Sequence, residues 1–467
     1  MNKKTKSPLS TSAAFLPLFL AASFAVFLLS RSAMVDKAAR ASPIFGAEER
    51  ASVEASLDLL YPERKNLLKA LPYAAPMADF ELWAGAAILV DAKTGFVLYE
   101  KNADDVIPPA SMTKLFLMRS VLEKVRRGEA SLGQNIPLGP ESWACNAPPQ
   151  SSLMFLGKGQ IATLEDLLCG LSVASGNDAA MAVAVSLFGS MDNFIKEANV
   201  LSRSLGLKKT VIVESSGYSE NNLTTPREMA AFCRAYIKDC PDALKKFHSI
   251  KNFVYPKERN LPPEQRGRPR QDFSRGIPQE IWTPMEFENT NKLLGVLPGC
   301  DGIKTGHIIE SGYNLALTTE RGGERWISVT MKGPGSNMRE GDMGRRHDGT
   351  ALHEWAYKNF RFFDGGTFEG AQFAVPLYGS QKMAIRLVPK KSAALVVPKN
   401  ASLSVKVSCP KFLFGKIDFG AECGSIGIYD GERLLEEIPL VAAEESRSAN
   451  QFVQRSDQII LRFKGAR

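Results

Sequence analysis

Three short motifs, Ser111-Met112-Thr113-Lys114, Ser175-Gly176-Asn177 and Lys304-Thr305-Gly306, follow one another along the chain. The first sits at a helix start, the second at a turn between helices and the third in a β pattern. Folding must bring these three kinds of local structure to one place if the motifs are to act together. A bare Ser-x-x-Lys is expected about twice by chance in a chain of this length, and each of the other triplets roughly 0.1 times, so only the ordered trio carries information. Together they spell a serine acyl-transfer site in which lysine stands where other hydrolases have histidine.

Pro108-Pro109 precede a run in which Met112, Leu115, Phe116, Leu122 and Val125 recur at helical spacing, so Ser111 opens a helix. Three residues is just under one turn, which makes Ser111 and Lys114 neighbours on one face. A free lysine holds its proton at neutral pH, so Lys114 serves as a base only if burial or a second cation, for which Lys304 is the candidate, lowers its pKa. Ser175-Gly176-Asn177 separates two apolar helix patterns, Thr163–Ala174 and Asp178 onward, where the hydroxyl can relay a proton and the amide can orient Lys114 and substrate. Gly302 to Gly306, Tyr313 to Thr319 and Trp326 to Met331 read as adjacent antiparallel strands. On such an edge Lys304 and Thr305 can hold a terminal carboxylate, and Gly306 lets a backbone approach.

These motifs, with Trp83 to Glu100 as an opening hairpin and with Leu205-Gly-Leu-Lys-Lys-Thr and Leu223-Thr-Thr-Pro-Arg-Glu-Met-Ala, make residues 80 to 440 resemble the low-molecular-mass penicillin-binding proteins of the serine-type D-alanyl-D-alanine carboxypeptidase family. The resemblance implies an α/β fold: a penicillin-binding protein/β-lactamase-like domain with a five-stranded antiparallel sheet flanked by helices, plus a small all-β C-terminal domain. It also implies roles. Ser111 is the nucleophile, Lys114 its base, and Ser175 and Asn177 the relay and positioning pair. Lys304, Thr305, Gly306 and His307 bind substrate, and the backbone N–H groups of Ser111 and His307 form the oxyanion hole. Ile308 departs from the threonine that the family commonly has there. The reaction implied removes the terminal D-alanine of a peptidoglycan stem peptide. β-Lactams would be covalent inhibitors, no metal or organic cofactor is called for, and no nucleic acid partner is expected. A DD-endopeptidase and a non-catalytic penicillin-binding scaffold are the alternatives.

The expected organisation is a signal peptide or membrane anchor over 1–34, a spacer over 35–80, the acyltransferase domain over 81–362 and the β domain over 363–467. Lys3, Lys4 and Lys6 precede 18 uncharged, mostly apolar residues, Ala13 to Ser30, which read as an export signal. Cleavage, near Ser32 or Ala41, and retention as an anchor both remain open. Either way the chain is expected in the cell envelope, periplasmic or on the outer face of the cytoplasmic membrane. Loss of the first 34 residues takes away four cations and no anion, so the net charge falls from +8 to +4, a balance that fits a solvated surface.

Seven cysteines in an exported chain raise the question of disulfides; Cys233 and Cys240 lie too far apart along one helix to bridge, and Cys409 with Cys423 is the better candidate pair, but most of the seven read as buried, unpaired apolar residues. Residues 257–275, rich in Pro and Arg, read as an exposed insertion. The last twelve residues, from Ser456, read as more strand-like than helical. His353-Glu354 lacks the second histidine a zinc protease helix needs, and Gly170-Leu-Ser-Val-Ala fails as a nucleophile elbow.

Overall fold

Two helices, α1 (Ser12–Arg40) and α2 (Ala47–Leu60), open the computed structural model, which describes residues 12–266, 284–365 and 373–465. Packing divides the chain into two units. One is Leu67–Phe362; in the other, residues up to Asn66 join Phe363–Arg467.

The Leu67–Phe362 unit is built on one sheet. Its strands are β1 (Lys69–Ala70), β2 (Ala86–Asp91) and β3 (Phe96–Lys101), and, after the short pairs β4 (Asn135–Ile136) with β5 (Ala162–Thr163) and β6 (Asn252–Tyr255) with β7 (Met285–Glu288), β8 (Cys300–Ile308), β9 (Gly312–Arg321) and β10 (Glu324–Gly333). The order is β1-β3-β2-β10-β9-β8. Six strands replace the expected five because the two-residue β1 adds a parallel pairing to β3 at one edge; the other five are antiparallel. β2 is buried throughout, as its unbroken apolar run Ala86 to Val90 requires of a central strand. The tight turn between β9 and β10 needs Gly322 and Gly323, whose φ values of 58° and 81° are both left-handed.

Alternate residues of the sheet face opposite sides. Ile88, Val90, Ala316, Ile327, Val329 and Met331 face a core shared with α3 (Lys114–Arg126), α4 (Leu164–Ser172), α5 (Asn177–Phe188), α6 (Met191–Ser204) and α7 (Pro226–Asp239). Leu315 and Leu317 turn the other way, against Leu293, Leu297 and the small Gly349 of α8 (Met338–Asn359). Each fully buried Leu, Phe or Met side chain contributes about 1.5–3 kcal/mol, so the fully buried Leu115, Phe116, Leu117 and Met118 alone fix α3 firmly beneath the site. The short β11 (Phe360–Phe363) follows α8.

In the second unit, β12 (Phe373–Tyr378), β13 (Ala384–Pro389), β14 (Leu395–Pro398), β15 (Leu403–Ser408), β16 (Leu413–Phe414), β17 (Glu422–Asp430) and β18 (Arg433–Ala442) realise the expected β-rich region. Six of them form a sheet in the order β15-β17-β18-β13-β12-β16. Residues 35–66, expected to begin a spacer, pack here: Val53 and Leu57 of α2 share a core with Val388, Val441 and Ala443.

The C-terminal tail departs from expectation. The tail is helical, α9 (Gln451–Phe463): its start is capped by Asn450 Oδ1, which accepts from the Val453 N–H, six residues before the stretch from Ser456 that reads as a strand. Ile460 and Leu461 then fall on one buried face with Asp457, at helical spacing. All seven cysteines are free, Cys409 and Cys423 included, and only Cys169 and Cys233 are buried. The Pro/Arg-rich stretch is anchored where it begins, because Arg259 and Asn260 both donate to Asp166, at 2.6 and 2.9 Å, and Leu261 is buried; its part beyond residue 266 lies outside the described residues.

Candidate active site

Ser111 lies in a 3-10 turn, Ala110–Thr113, that runs directly into α3 at Lys114. The turn is entered through Ala110 at φ 50°, a left-handed conformation costing a non-glycine residue about 1–3 kcal/mol, and one often found beside functional side chains. Ser175 has the same conformation, at φ 59°, in the turn between α4 and α5. α4 begins with a capping box of Thr163 and Asp166, and α5 begins at Asn177, so both helix ends that frame Ser175 are fixed locally.

Lys114 is fully buried and its Nζ reaches three oxygens: Ser111 Oγ at 2.9 Å, Asn177 Oδ1 at 2.7 Å and the Ser216 carbonyl at 2.6 Å. Two of these can only accept. A neutral amine therefore commits both N–H bonds to Asn177 and Ser216 and turns its lone pair to the Ser111 hydroxyl. Burial lowers Lys114 from 10.5 to about 7, while the carboxylates of Glu214 and Asp178 pull it back upward. Of the two causes expected, burial is the one that lowers Lys114. The repulsion between the two lysines is felt at Lys304, which burial first, then Lys114 and Arg345, push well below its ordinary value.

Lys304 Nζ donates to Ser175 Oγ at 3.0 Å and to the Thr305 carbonyl at 3.2 Å, and Thr305 Oγ1 donates to Thr290 Oγ1 at 2.7 Å. A buried cation with a lowered pKa gains strongly from an anion, since the anion restores its charged form. β8 is the edge of the sheet and lies against the Ser111 turn. A Cβ on Gly306 would meet the Pro109 carbonyl and come within 3.2 Å of the Ser111 nitrogen, so the close approach Gly306 permits is that of the chain's own backbone. The His307 ring stacks on Tyr313 with centroids 4.1 Å apart, and burial followed by Arg345 lowers its pKa.

All eight side chains and glycines singled out from the sequence thus meet at one locus on the Leu67–Phe362 unit. Four further residues support it without any motif to announce them. Glu214 gathers the loop beneath Lys114, accepting from the N–H of Ser216 and of Gly217 and from the side chains of Ser216 and Asn222. Gly217, at φ 83°, packs so tightly on the Ala110 carbonyl that any Cβ would collide with it. Asp178 accepts from the N–H groups of Met154, Leu156 and Ala179, fastening the opposite wall. Arg345, reaching in from α8, donates to the carbonyls of Asn314 and Gly306 at 3.0 and 2.6 Å and to Asp342. Its guanidinium fork bridges β8 and β9.

Residues 73–335 match the family model described as D-alanyl-D-alanine carboxypeptidase. Among curated proteins the chain is similar to D-alanyl-D-alanine carboxypeptidase DacF of Bacillus subtilis, with 27% identity over 82% of this chain and 91% of that protein. It is also similar to DacA of Escherichia coli, with 28% identity over 85% and 91%. Among solved structures, penicillin binding protein 5 of Haemophilus influenzae shares the fold at a TM-score of 0.65, with 24% identity over 80% of this chain and all of that one. The carboxypeptidase DacD of Francisella tularensis does so at 0.64, with 23% identity over 81% and 97%.

Proposed function

Because the chain belongs to the D-alanyl-D-alanine carboxypeptidase family, we propose that its serine-type carboxypeptidase reaction runs through an acyl-enzyme on Ser111, with Lys114 as the base. The observation that carries this assignment is the forced orientation of the Lys114 amine, whose two acceptor-only neighbours leave its lone pair on the Ser111 hydroxyl. Ser111 Oγ attacks the carbonyl between the two D-alanines of a stem peptide, and its proton passes to Lys114. The N–H groups of Ser111 and His307 receive the negative charge on the carbonyl oxygen. Collapse of the tetrahedral intermediate breaks the peptide bond, and the departing D-alanine nitrogen takes its proton through Ser175. Lys304 and Thr305 hold the terminal carboxylate throughout. Water then attacks the ester, Lys114 takes its proton and returns it to Ser111 Oγ as the ester bond breaks, and the trimmed peptide leaves.

A β-lactam presents a strained amide and a carboxylate to the same groups, so it acylates Ser111 in the same way. The substrate lies outside the cytoplasmic membrane, and the apolar N-terminal helix fits delivery there.

The test is D-alanine release from a stem pentapeptide by the full chain in detergent, followed across pH. Because the base works unprotonated, kcat/KM is expected to rise through a limb near pH 7 and then level. No release from a protein that still forms a covalent penicillin adduct would move the assignment to a penicillin-binding scaffold. Cleavage confined to cross-linked peptides would move it to an endopeptidase.

Glu214 is assigned as a positioning residue for Lys114. Glu214→Gln loosens the loop that presents the Ser216 carbonyl and removes a charge that raises the Lys114 pKa. The plateau of kcat/KM is expected to fall roughly 10- to 100-fold, and the limb to move to lower pH. A fall without that movement would indicate a structural role alone.

A further inference from the structure

We infer that α1 is not removed after export and remains as a membrane-spanning anchor, locked into the folded protein by Arg31 and Asp457. The two ends of this contact are 426 residues apart in sequence. Arg31 Nε donates to Asp457 Oδ1 at 2.5 Å and Nη2 to Oδ2 at 2.7 Å, a bidentate pair with side chains only 9% and 0% exposed. Asp457 also accepts from the Gly379 N–H at 2.6 Å, so one carboxylate ties α1 and α9 to the end of β12.

One turn further on, Val35 is fully buried in a cluster with Tyr378, Ile460 and Leu461, and Leu28 packs against it. Asp36 then accepts from Lys464 Nζ at 2.7 Å and from the Tyr378 hydroxyl at 3.3 Å. Cleavage after Ser32 would leave Asp457 as a buried charge without its cation, the costly way to break such a pair. Cleavage after Ala41 would also strip Val35 from the apolar cluster and Asp36 from Lys464. The residues that signal removal would discard are built into the unit they would leave behind.

Ahead of Arg31 the described side chains of the helix are mostly exposed, with Phe24 and Phe27 meeting the Phe452 ring of α9 at centroid distances of 6.4 and 5.6 Å. Phe19, Leu20, Val26 and Leu29 are 59–73% exposed, an apolar surface that fits lipid and not water. Ala13 to Ser30 contain no charge, and 18 helical residues span about 27 Å, close to the ~30 Å of a bilayer's hydrocarbon. Lys3, Lys4 and Lys6 lie ahead of this stretch and set the N-terminus on the cytoplasmic side. Arg31 stands where the helix leaves the lipid, and the ion pair begins there. The occupant of the exposed half is thus a bilayer, with the β-rich unit clamped to the helix as it emerges.

The test uses the full chain with a C-terminal tag, expressed in a bacterial host, as wild type, Arg31→Ala, Asp457→Ala and the double variant. The wild type is expected in the membrane fraction with an intact mass that includes the residues ahead of Arg31. In detergent, Arg31→Ala is expected to lower the melting temperature by roughly 5–10 °C, with part of the loss recovered in the double variant. A mature N-terminus at Ala33 or Ser42 would overturn the inference. So would an Arg31→Ala protein identical to wild type in mass and melting, because cleavage removes the altered residue.

Discussion

Ser111→Ala is expected to lower D-alanine release from a stem pentapeptide by at least about 10⁴-fold, and Lys114→Met by nearly as much, since groups that act as a unit are lost together. Quantification of free D-alanine checks the rate, and the mass gained with penicillin checks acylation; a Lys114→Met protein that still acylates rapidly would remove Lys114 as the base. The same variant has a thermodynamic signature. With its pKa lowered from 10.5 to about 7 in the folded state, Lys114 binds fewer protons folded than unfolded across that window. Wild-type stability therefore gains as pH rises from about 7 to 10.5, and the lysine's cost is fully present below it. Lys114→Met lacks this group, so wild type is expected to gain on the variant in stability as pH climbs through the window.

Lys304→Ala is expected to cut kcat/KM by roughly 10²- to 10³-fold on a peptide with a free terminal carboxylate, the scale set by losing one partner of a buried charge pair. The loss belongs to the carboxylate. A peptide capped as its terminal amide is expected to react slowly with wild type and no more slowly with the variant, and equal losses on both peptides would show that Lys304 acts elsewhere, through Ser175 Oγ.

What can be read from the chain is what has a local signature. The Ser111–Lys114 spacing, the capped helix at Thr163, the Gly322-Gly323 turn and the alternation of β8 to β10 each depend on neighbours within a few residues, and each leaves a pattern in the sequence. The rest depends on partners far apart. The carbonyl of Ser216 has no side-chain identity at all, yet it fixes one N–H bond of Lys114. Glu214 and Arg345 look like ordinary charged residues until the fold brings them under Lys114 and Gly306. The lowered pKa of Lys114 is legible as a requirement, but its cause, burial and not the second lysine, needs the packing. Asp178 reads only as the opening of a helix, one residue from the motif it supports. The tail misleads because its apolar cluster, taken without the Asn450 cap, has no period of its own.

The free cysteines bear on where such a chain can fold. No disulfide closes any loop, so cohesion rests on packing, hydrogen bonds and ion pairs. Burial also holds the thiols protonated, raising Cys169 to about 12 and both Cys240 and Cys300 to about 11, with Cys233 higher still. Thiolate is the species that attacks a disulfide, and at these four positions there is almost none. In an oxidising compartment such a chain would need no oxidase or isomerase to reach its native state, and the surrounding thiol–disulfide poise would have little purchase on these four thiols.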